Sequence, residues 1–311
     1  MIIREGTYKD TGAIISVLKA SLGEAKLPKS EEIWNFKHYQ NPFGKSLILL
    51  AEEDNKIIGV RAFMKWKWKL GEKVYSAYRA VDTATHPDHQ GKGVFKKLTL
   101  EAINISTKVG DHFIFNTPNS QSLPGYMKMD WKKVSKLKIH LNLISPLKMF
   151  ISDTNYKYSI QKMGDENVLE NLIETHNIGN SRTSNLFTIK SIEYLKWRYE
   201  NNPLQKYDVK CDHDFYLATY IKQHKYFNEL RVVEQIYKGD KGLKKLNRAL
   251  ENLTKYMKVH IISCSENLGG LIGFSGAMGP MLTVRNLNLD IDNQLLNIDN
   301  WNYTLGDLEL F

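Results

Sequence analysis

Val81-Asp82-Thr83-Ala84-Thr85-His86-Pro87-Asp88-His89-Gln90-Gly91-Lys92-Gly93-Val94-Phe95 is the stretch on which the fold of this chain turns. Its first five residues read as the end of a strand. Pro87 stops that strand, because it has no N–H to give to a ladder. Gly91 and Gly93 then open a helix. Glycine lets the backbone approach a ligand with no side chain in the way. The first turn of a helix carries N–H groups with no intrahelical acceptor, and a partial positive charge. Such a mouth suits an anion, a diphosphate above all. Lys92, Lys96 and Lys97 add charge nearby. The spacing is neither the dinucleotide fingerprint nor the P-loop, since a single G-x-G is present and no G-K-S/T follows. Taken alone, the G-x-G reads first as a plain strand–turn–helix whose glycines only make the turn.

Working outward, Ile2 to Arg4 reads as a strand, and Ile14, Val17, Leu18 and Leu22 share one helical face. Ser30 caps a second helix, which Asn41-Pro42 ends. Leu47 to Glu52, Ile57 to Leu70 and Val74 to Thr85 are strands separated by turns at Asp54-Asn55-Lys56 and Gly71-Glu72. Gly91 to Val109 is amphipathic, with Val94, Phe95, Leu98, Ala102, Ile105 and Val109 on one face. His112 to Asn116 is a strand, Ser120 to Lys128 a short helix, and Trp131 to Leu143 a last strand. The connection from Thr85 to Phe113 passes through a helix, so the strands it joins run parallel, whereas the earlier strands pair as hairpins.

The 311 residues suit two domains. We place the boundaries at 1–143 and 156–311, with Ser145-Pro146 and Ser152 to Asn155 as the link. Beyond the link the order of elements recurs. Gly164 answers Gly6. Trp197-Arg198-Tyr199-Glu200-Asn201-Asn202-Pro203 answers Phe36-Lys37-His38-Tyr39-Gln40-Asn41-Pro42. Lys244-Lys245-Leu246 answers Lys96-Lys97-Leu98, and Ile272-Gly273-Phe274 answers Met129-Asp130-Trp131. The matches stay collinear, as in a tandem duplication with a trimmed second copy. Leu243, Leu246, Leu250, Leu253 and Met257 keep a helix face in that copy, but the Gln-x-x-Gly-x-Gly spacing is lost and no tyrosine answers Tyr126. The second half is therefore expected to be non-catalytic and to hold or wall an acceptor. Trp197, Tyr199, Trp301 and Tyr303 either line it or belong to its core.

Two cysteines, Cys211 and Cys264, lie far apart, which speaks against a disulfide framework or a zinc site and for a reducing, cytoplasmic compartment. MIIREGTYKD has no apolar core of a signal peptide, and the longest apolar runs are too short to span a bilayer. We expect no metal and no membrane partner. The net charge of +9 is compatible with nucleic acid, an anionic surface, a phosphate-rich ligand or no polyanion at all. Met64-Lys65-Trp66-Lys67-Trp68-Lys69 alternates strictly, so lysines and tryptophans point to opposite faces of a strand. Nucleic-acid binding would need them together, and we expect a half-buried structural strand instead.

Gln90-Gly91-Lys92-Gly93-Val94, in its place after a fourth strand, resembles motif A of the GNAT (GCN5-related N-acetyltransferase) superfamily, Q/R-x-x-G-x-G/A. Phe95 stands where that motif has a small residue, and either narrows the site or points into the core. The resemblance covers the first half well and the second weakly. It implies an α+β fold with two GNAT-like domains, each a mostly antiparallel mixed sheet flanked by helices. It implies acetyl-CoA as acyl donor, with its diphosphate on the backbone amides of Gln90, Gly91, Lys92, Gly93, Val94 and Phe95. The backbone of Thr83, Ala84 and Thr85 would line the pantetheine arm, with a bulge near Thr83 that aims an N–H at the thioester carbonyl. Tyr126, in Gly125-Tyr126-Met127-Lys128-Met129-Asp130-Trp131, resembles the Y-x-K-x-G-F/W tyrosine that protonates the departing thiolate; Asp130 replaces the glycine. Asn119 would bond the pantetheine or cap the next helix. Asp82 and His86 are the candidate bases, against the alternatives of an Asp82–lysine pair and a His86 packed on Pro87.

The expected function is transfer of an acetyl or short acyl group from acyl-CoA to a primary amine of a small acceptor by direct attack. Two rivals stay open. One is a Fem-type aminoacyltransferase that uses aminoacyl-tRNA. The other is a CoA-binding pseudoenzyme, for which Phe95 and Asp130 speak.

Overall fold

The computed structural model describes residues 1–24, 28–144, 158–161, 166–256, 259–268, 273–290 and 292–308. In chain order the first half contains β1 (Ile2–Glu5), α1 (Thr11–Leu22), α2 (Glu31–His38), β2 (Leu47–Glu53), β3 (Lys56–Leu70), β4 (Lys73–Thr85), α3 (Val94–Lys108), β5 (Phe113–Asn116), α4 (Leu123–Met127), β6 (Lys132–Lys136) and β7 (Ile139–Leu143). The rest contains α5 (Glu166–Ser181), β8 (Leu186–Thr188), α6 (Ile192–Leu195), β9 (Asp208–Asp212), β10 (Phe215–Gln223), β11 (Asn228–Tyr237), α7 (Gly239–Tyr256), β12 (Ile261–Cys264), β13 (Gly273–Gly276), β14 (Met281–Asn286), α8 (Asp292–Leu295), β15 (Trp301–Asn302) and α9 (Leu305–Leu308).

Two compact units result. One is built of Met1–Trp68, Lys73–Ser135 and Met281–Ile298; the other of Lys69–Glu72, Lys136–Pro280 and Asp299–Phe311. These are not the boundaries 1–143 and 156–311. The first sheet has the order β1-β2-β3-β4-β5-β14-β6, so a strand from near the C-terminus lies between β5 and β6. The second has the order β13-β7-β12-β11-β10-β9 and takes β7 from the first half. The expected single strand Trp131 to Leu143 is thus two strands in two sheets. No glycine or proline marks the break at Leu137-Lys138, so pairing partners decide it and local sequence does not.

Stripped of the exchanged strands, the two sheets follow one plan. β2-β3-β4-β5 is answered by β9-β10-β11-β12, and in each the last pair is parallel while the hairpins are antiparallel. α3 and α7 are the corresponding crossovers. Both units are therefore GNAT-like mixed sheets flanked by helices, and the matched segments around Leu98 and Leu246 fall at corresponding places. Gly164 and Ile272 lie outside the described residues.

In the first unit the expected caps hold. Ser30 Oγ accepts the Ile33 N–H at 3.3 Å, and α2 stops at His38. On α3, Val94, Leu98 and Ala102 pack into a core with Leu49, Ile58, Phe63, Ile114, Tyr126 and Trp131. Each such side chain contributes ~1.5–3 kcal/mol through burial. Val109 is exposed rather than on that face, because it caps the helix end. Gly59 explains how closely α3 lies on the sheet: a Cβ there would stand 2.6 Å from Val94 Cγ1. The tryptophans of the alternating stretch, Trp66 and Trp68, are fully buried, and Lys65 reaches Asp111 and the face of Tyr78. In the second unit Leu246, Leu250 and Leu253 of α7 enter the core, with Leu243 at its margin; Met257 lies outside the described residues. Trp197, Tyr199 and Trp301 are core as well. Among the described residues no helix is long and apolar enough to cross a membrane.

Candidate active site

β4 and β5 pair in parallel only through Ala77–Phe113, Tyr78–Ile114 and Arg79–Phe115. β5 ends at Asn116, while β4 runs on to Thr85 without it. Beside the end of β4 a cleft of about 460 Å³ opens, lined by Thr83, Thr85, His89, Gln90, Gly91, Gly93 and the start of α3. Gly91 and Gly93 have φ of 77° and 76°, in the left-handed region, so the turn itself requires glycine. Gly93 is the N-cap of α3 and has no side chain to cap with. The first intrahelical bond of this turn runs from Lys97 N–H to Gly93 O at 3.0 Å, so the amides of Val94, Phe95 and Lys96 precede the ladder. This is the bare helix mouth read from the sequence.

Not every expected donor survives. The Gln90 N–H is spent on Pro87 O at 3.2 Å, and its side chain folds back to Thr85 O at 3.3 Å. Ala84 is buried and Lys92 is exposed, close to His89 Nδ1; neither lines the cleft. Phe95 lines it, but its ring turns inward. It meets Tyr126 edge-on at 5.7 Å and would lie 3.0 Å from a Cβ on Gly125. The departure from the small residue is thus taken up by the core, helped by Gly125, and the cleft stays open.

The irregularity expected near Thr83 falls at Asp82, whose φ is 37°. Alternation along β4 breaks there, with Asp82 and Thr83 both half-buried. A non-glycine residue in this region is strained and persists only when its surroundings hold it. Here α2 does so: Asp82 Oδ2 accepts from Lys37 Nζ and lies 3.0 Å from His38 Nε2, while His38 Nδ1 contacts Ser46 Oγ at 2.8 Å. Burial would raise the Asp82 pKa, but the Lys37 charge and the hydrogen bonds from His38 and Lys37 outweigh it and hold the carboxyl well below the usual range. Burial likewise lowers His38, against the opposing pull of Asp82. A carboxylate so firmly ionised accepts protons poorly. Asp82 is therefore placed as the clamp of a bulge, the lysine-paired alternative, and not as a base. His86 also leaves the cleft. Its ring accepts the Asp88 N–H at 3.4 Å and faces the hollow beside Arg4 and Ile58.

Tyr126 is 3% exposed and belongs to the core cluster. Its oxygen accepts a hydrogen bond from Arg61 Nη2 at 2.8 Å, which leaves its own hydrogen to give. Arg61 is fully buried, and its Nε and Nη1 have no hydrogen-bond partner. The guanidinium lies 4.8 Å from the Phe63 ring, 5.3 Å from Tyr126 and 5.7 Å from Phe95. Sequence reading missed Arg61. The signal was present: one arginine inside Gly59-Val60-Arg61-Ala62-Phe63-Met64, an apolar run of a strand. Asn119 Oδ1 accepts from Gln121 N, Ser122 N and Ser122 Oγ, so it caps the turn into α4, and only its amide nitrogen remains for a ligand.

A mixed sheet whose fourth and fifth strands part beside a glycine-opened helix is the architecture of the GCN5-related N-acetyltransferases. Residues 2–134 match the model of the acetyltransferase (GNAT) domain. The whole chain is similar in fold to three solved structures. One is a conserved protein of unknown function from Enterococcus faecalis, described as a probable N-acyltransferase (TM-score 0.68, 10% identity, 93% of this chain and 73% of that one). The second is a GCN5-related N-acetyltransferase from Anabaena variabilis (0.65, 11%, 92% and 73%). The third is a GCN5-related N-acetyltransferase from Kribbella flavida (0.61, 11%, 92% and 71%). No curated protein matches the sequence.

Proposed function

We propose that the first unit is an acyl-CoA-dependent N-acyltransferase that acts on a primary amine of a small acceptor. The observation that carries this reading is the bare α3 mouth at Gly93, open to a cleft beside the end of β4. The residues present suit coenzyme A. The amides of Val94, Phe95 and Lys96 would hold its diphosphate, as charge-assisted bonds at a helix N-terminus. The free edge of β4 from Ala80 to Thr85 would line the pantetheine arm. Acetyl-CoA supplies an activated thioester when bound. Tyr126 would give its hydroxyl proton to the departing sulfur; Arg61 donates to the phenol oxygen and leaves that proton free to go. The left-handed turn at Asp82, held by Lys37 and His38, would let a β4 amide beyond it support the oxyanion. With Asp82 locked and His86 turned away, the amine enters neutral or loses its proton to water.

The test is turnover. Release of free thiol from acetyl-CoA should depend on one or more members of a panel of small primary amines, and the acylated amine should appear in equal amount. Acetyl-CoA binding without acylation of any amine would leave a CoA-binding pseudoenzyme.

A further inference from the structure

The second unit has its own parting of parallel strands. β11 and β12 pair through Glu229–Ile261, Leu230–Ile262 and Arg231–Ser263, after which β11 runs on to Tyr237 while β12 ends at Cys264. A cleft of about 400 Å³ lies there, within the range of small-molecule sites. It does not copy the anion cradle of the first unit. Its helix, α7, begins against the β9–β10 turn: Lys238 N is bonded to Asp214 O at 2.9 Å, and a Cβ on Gly242 would stand 2.4 Å from the same oxygen.

The wall of this cleft is instead rich in acceptors. Gln235 is 4% exposed and lines the cleft, yet its Oε1 has no hydrogen-bond partner. Glu266 and Tyr237 line the cleft beside it. Burial raises the Glu266 pKa, against the opposing influence of Gln235 and Tyr237. Among the described residues Glu266 has no cationic partner. The nearby cation is already matched, since Lys190 is held by Glu234 at 2.8 Å and Asp307 at 2.7 Å. His176 is kept neutral by burial and by the Lys190 charge, with its pKa lowered to about 4. Lys238 is exposed at the rim and makes no ion pair with Glu266. A half-buried carboxylate without a counter-charge therefore lines the cleft, and a protonated amine would supply that charge.

We infer that this cleft binds an organic ammonium, a small molecule with a protonated primary amine seated on the Glu266 carboxylate. Tyr237 adds an aromatic wall that suits a cation. The site stands on the second unit alone and does not depend on the acyl-transfer reading of the first.

Binding to the full-length protein, without acetyl-CoA, should be measured by calorimetry. The probes are putrescine, ethanolamine and glucosamine, each against its neutral counterpart, 1,4-butanediol, ethylene glycol and glucose. At least one amine should bind saturably with one equivalent per chain, and its neutral counterpart at least tenfold more weakly. Glu266→Gln should weaken the amine at least tenfold. That variant removes an unmatched charge, so its unliganded Tm should not fall, and its Tm shift with acetyl-CoA should match that of the unsubstituted protein. Failure of every amine to bind, equal binding of amine and diol, or an affinity untouched by Glu266→Gln overturns the inference. Should that variant misfold, the comparison of amine with neutral counterpart on the unsubstituted protein decides alone.

Discussion

Replacement of Gly93 by glutamate tests the helix mouth most directly. Gly93 has φ of 76° and open space where a Cβ would point, so a side chain there meets no protein atom within 4 Å. The cost to the unliganded fold is that of the left-handed conformation, ~1–2 kcal/mol for a non-glycine residue. Gly93→Ala carries the same strain and serves as the control. Acetyl-CoA at about 100 times its Kd stabilises the folded state by ~2.7 kcal/mol. For a unit of this size that amounts to a Tm increase of roughly 5–10 °C. The introduced carboxylate would lie at the amides of Val94, Phe95 and Lys96. Against a phosphate charge ~4–5 Å away it costs ~3–4 kcal/mol per charge at an effective dielectric of 20, enough to cancel the whole binding term. Thermal unfolding with and without acetyl-CoA should show two lowered baselines of similar size, a retained shift for Gly93→Ala and none for Gly93→Glu. A shift in Gly93→Glu equal to that of the unsubstituted protein refutes the cradle.

Tyr126→Phe keeps the core ring and loses the proton. It should lower kcat by roughly 10²–10⁴-fold, the usual contribution of a positioned acid, with the KM for acetyl-CoA nearly unchanged; an unaltered kcat excludes the role. Gly59→Ala would set a Cβ 2.6 Å from Val94 Cγ1, so α3 must shift. A loss of ~1–3 kcal/mol in chemical denaturation is expected, together with weaker acetyl-CoA binding. Stability should fall with acid. His38 and Asp82 both have folded pKa values below their unfolded ones, so the unfolded chain binds the extra protons. The loss should begin below about pH 6.5 through His38 and steepen below about pH 4 through Asp82; Asp82→Asn should flatten the lower part, as urea midpoints across pH will show. A chain truncated after Leu143 lacks β14 and should be insoluble or unfolded by circular dichroism, although the GNAT match ends at residue 134.

Much of the first unit could be read from the sequence because its signals are local. Periodicity placed the strands and α3, Ser30 announced α2, and Gly91 and Gly93 announced the mouth. What escaped was set by partners distant in sequence. The break at Leu137 depends on β14 and β12, and the role of Asp82 depends on Lys37 and His38 from another element. His86 was placed on the right loop, but which way its ring faces is a matter of one turn of backbone. The Phe95 question could be settled only by Gly125, whose missing side chain makes room for the ring. In the second unit the lost glycine spacing correctly marked a different helix start, yet it hid a cleft whose chemistry comes from Gln235 and Glu266.

The placement of β14 beside β5 also governs the order of birth. About half of the chain is translated between Asn116 and Met281. At ~5–20 residues per second the ribosome needs on the order of ten seconds to cover that distance. Through that interval the nascent β5 has a raw edge of unpaired amides and carbonyls, the kind of template that recruits other chains. Thr283 and its neighbours, which seal it against Asn116, emerge only after that interval. Chaperone dependence during synthesis, and poor refolding at high concentration, are the expected consequences of a sheet completed by a strand so distant in sequence.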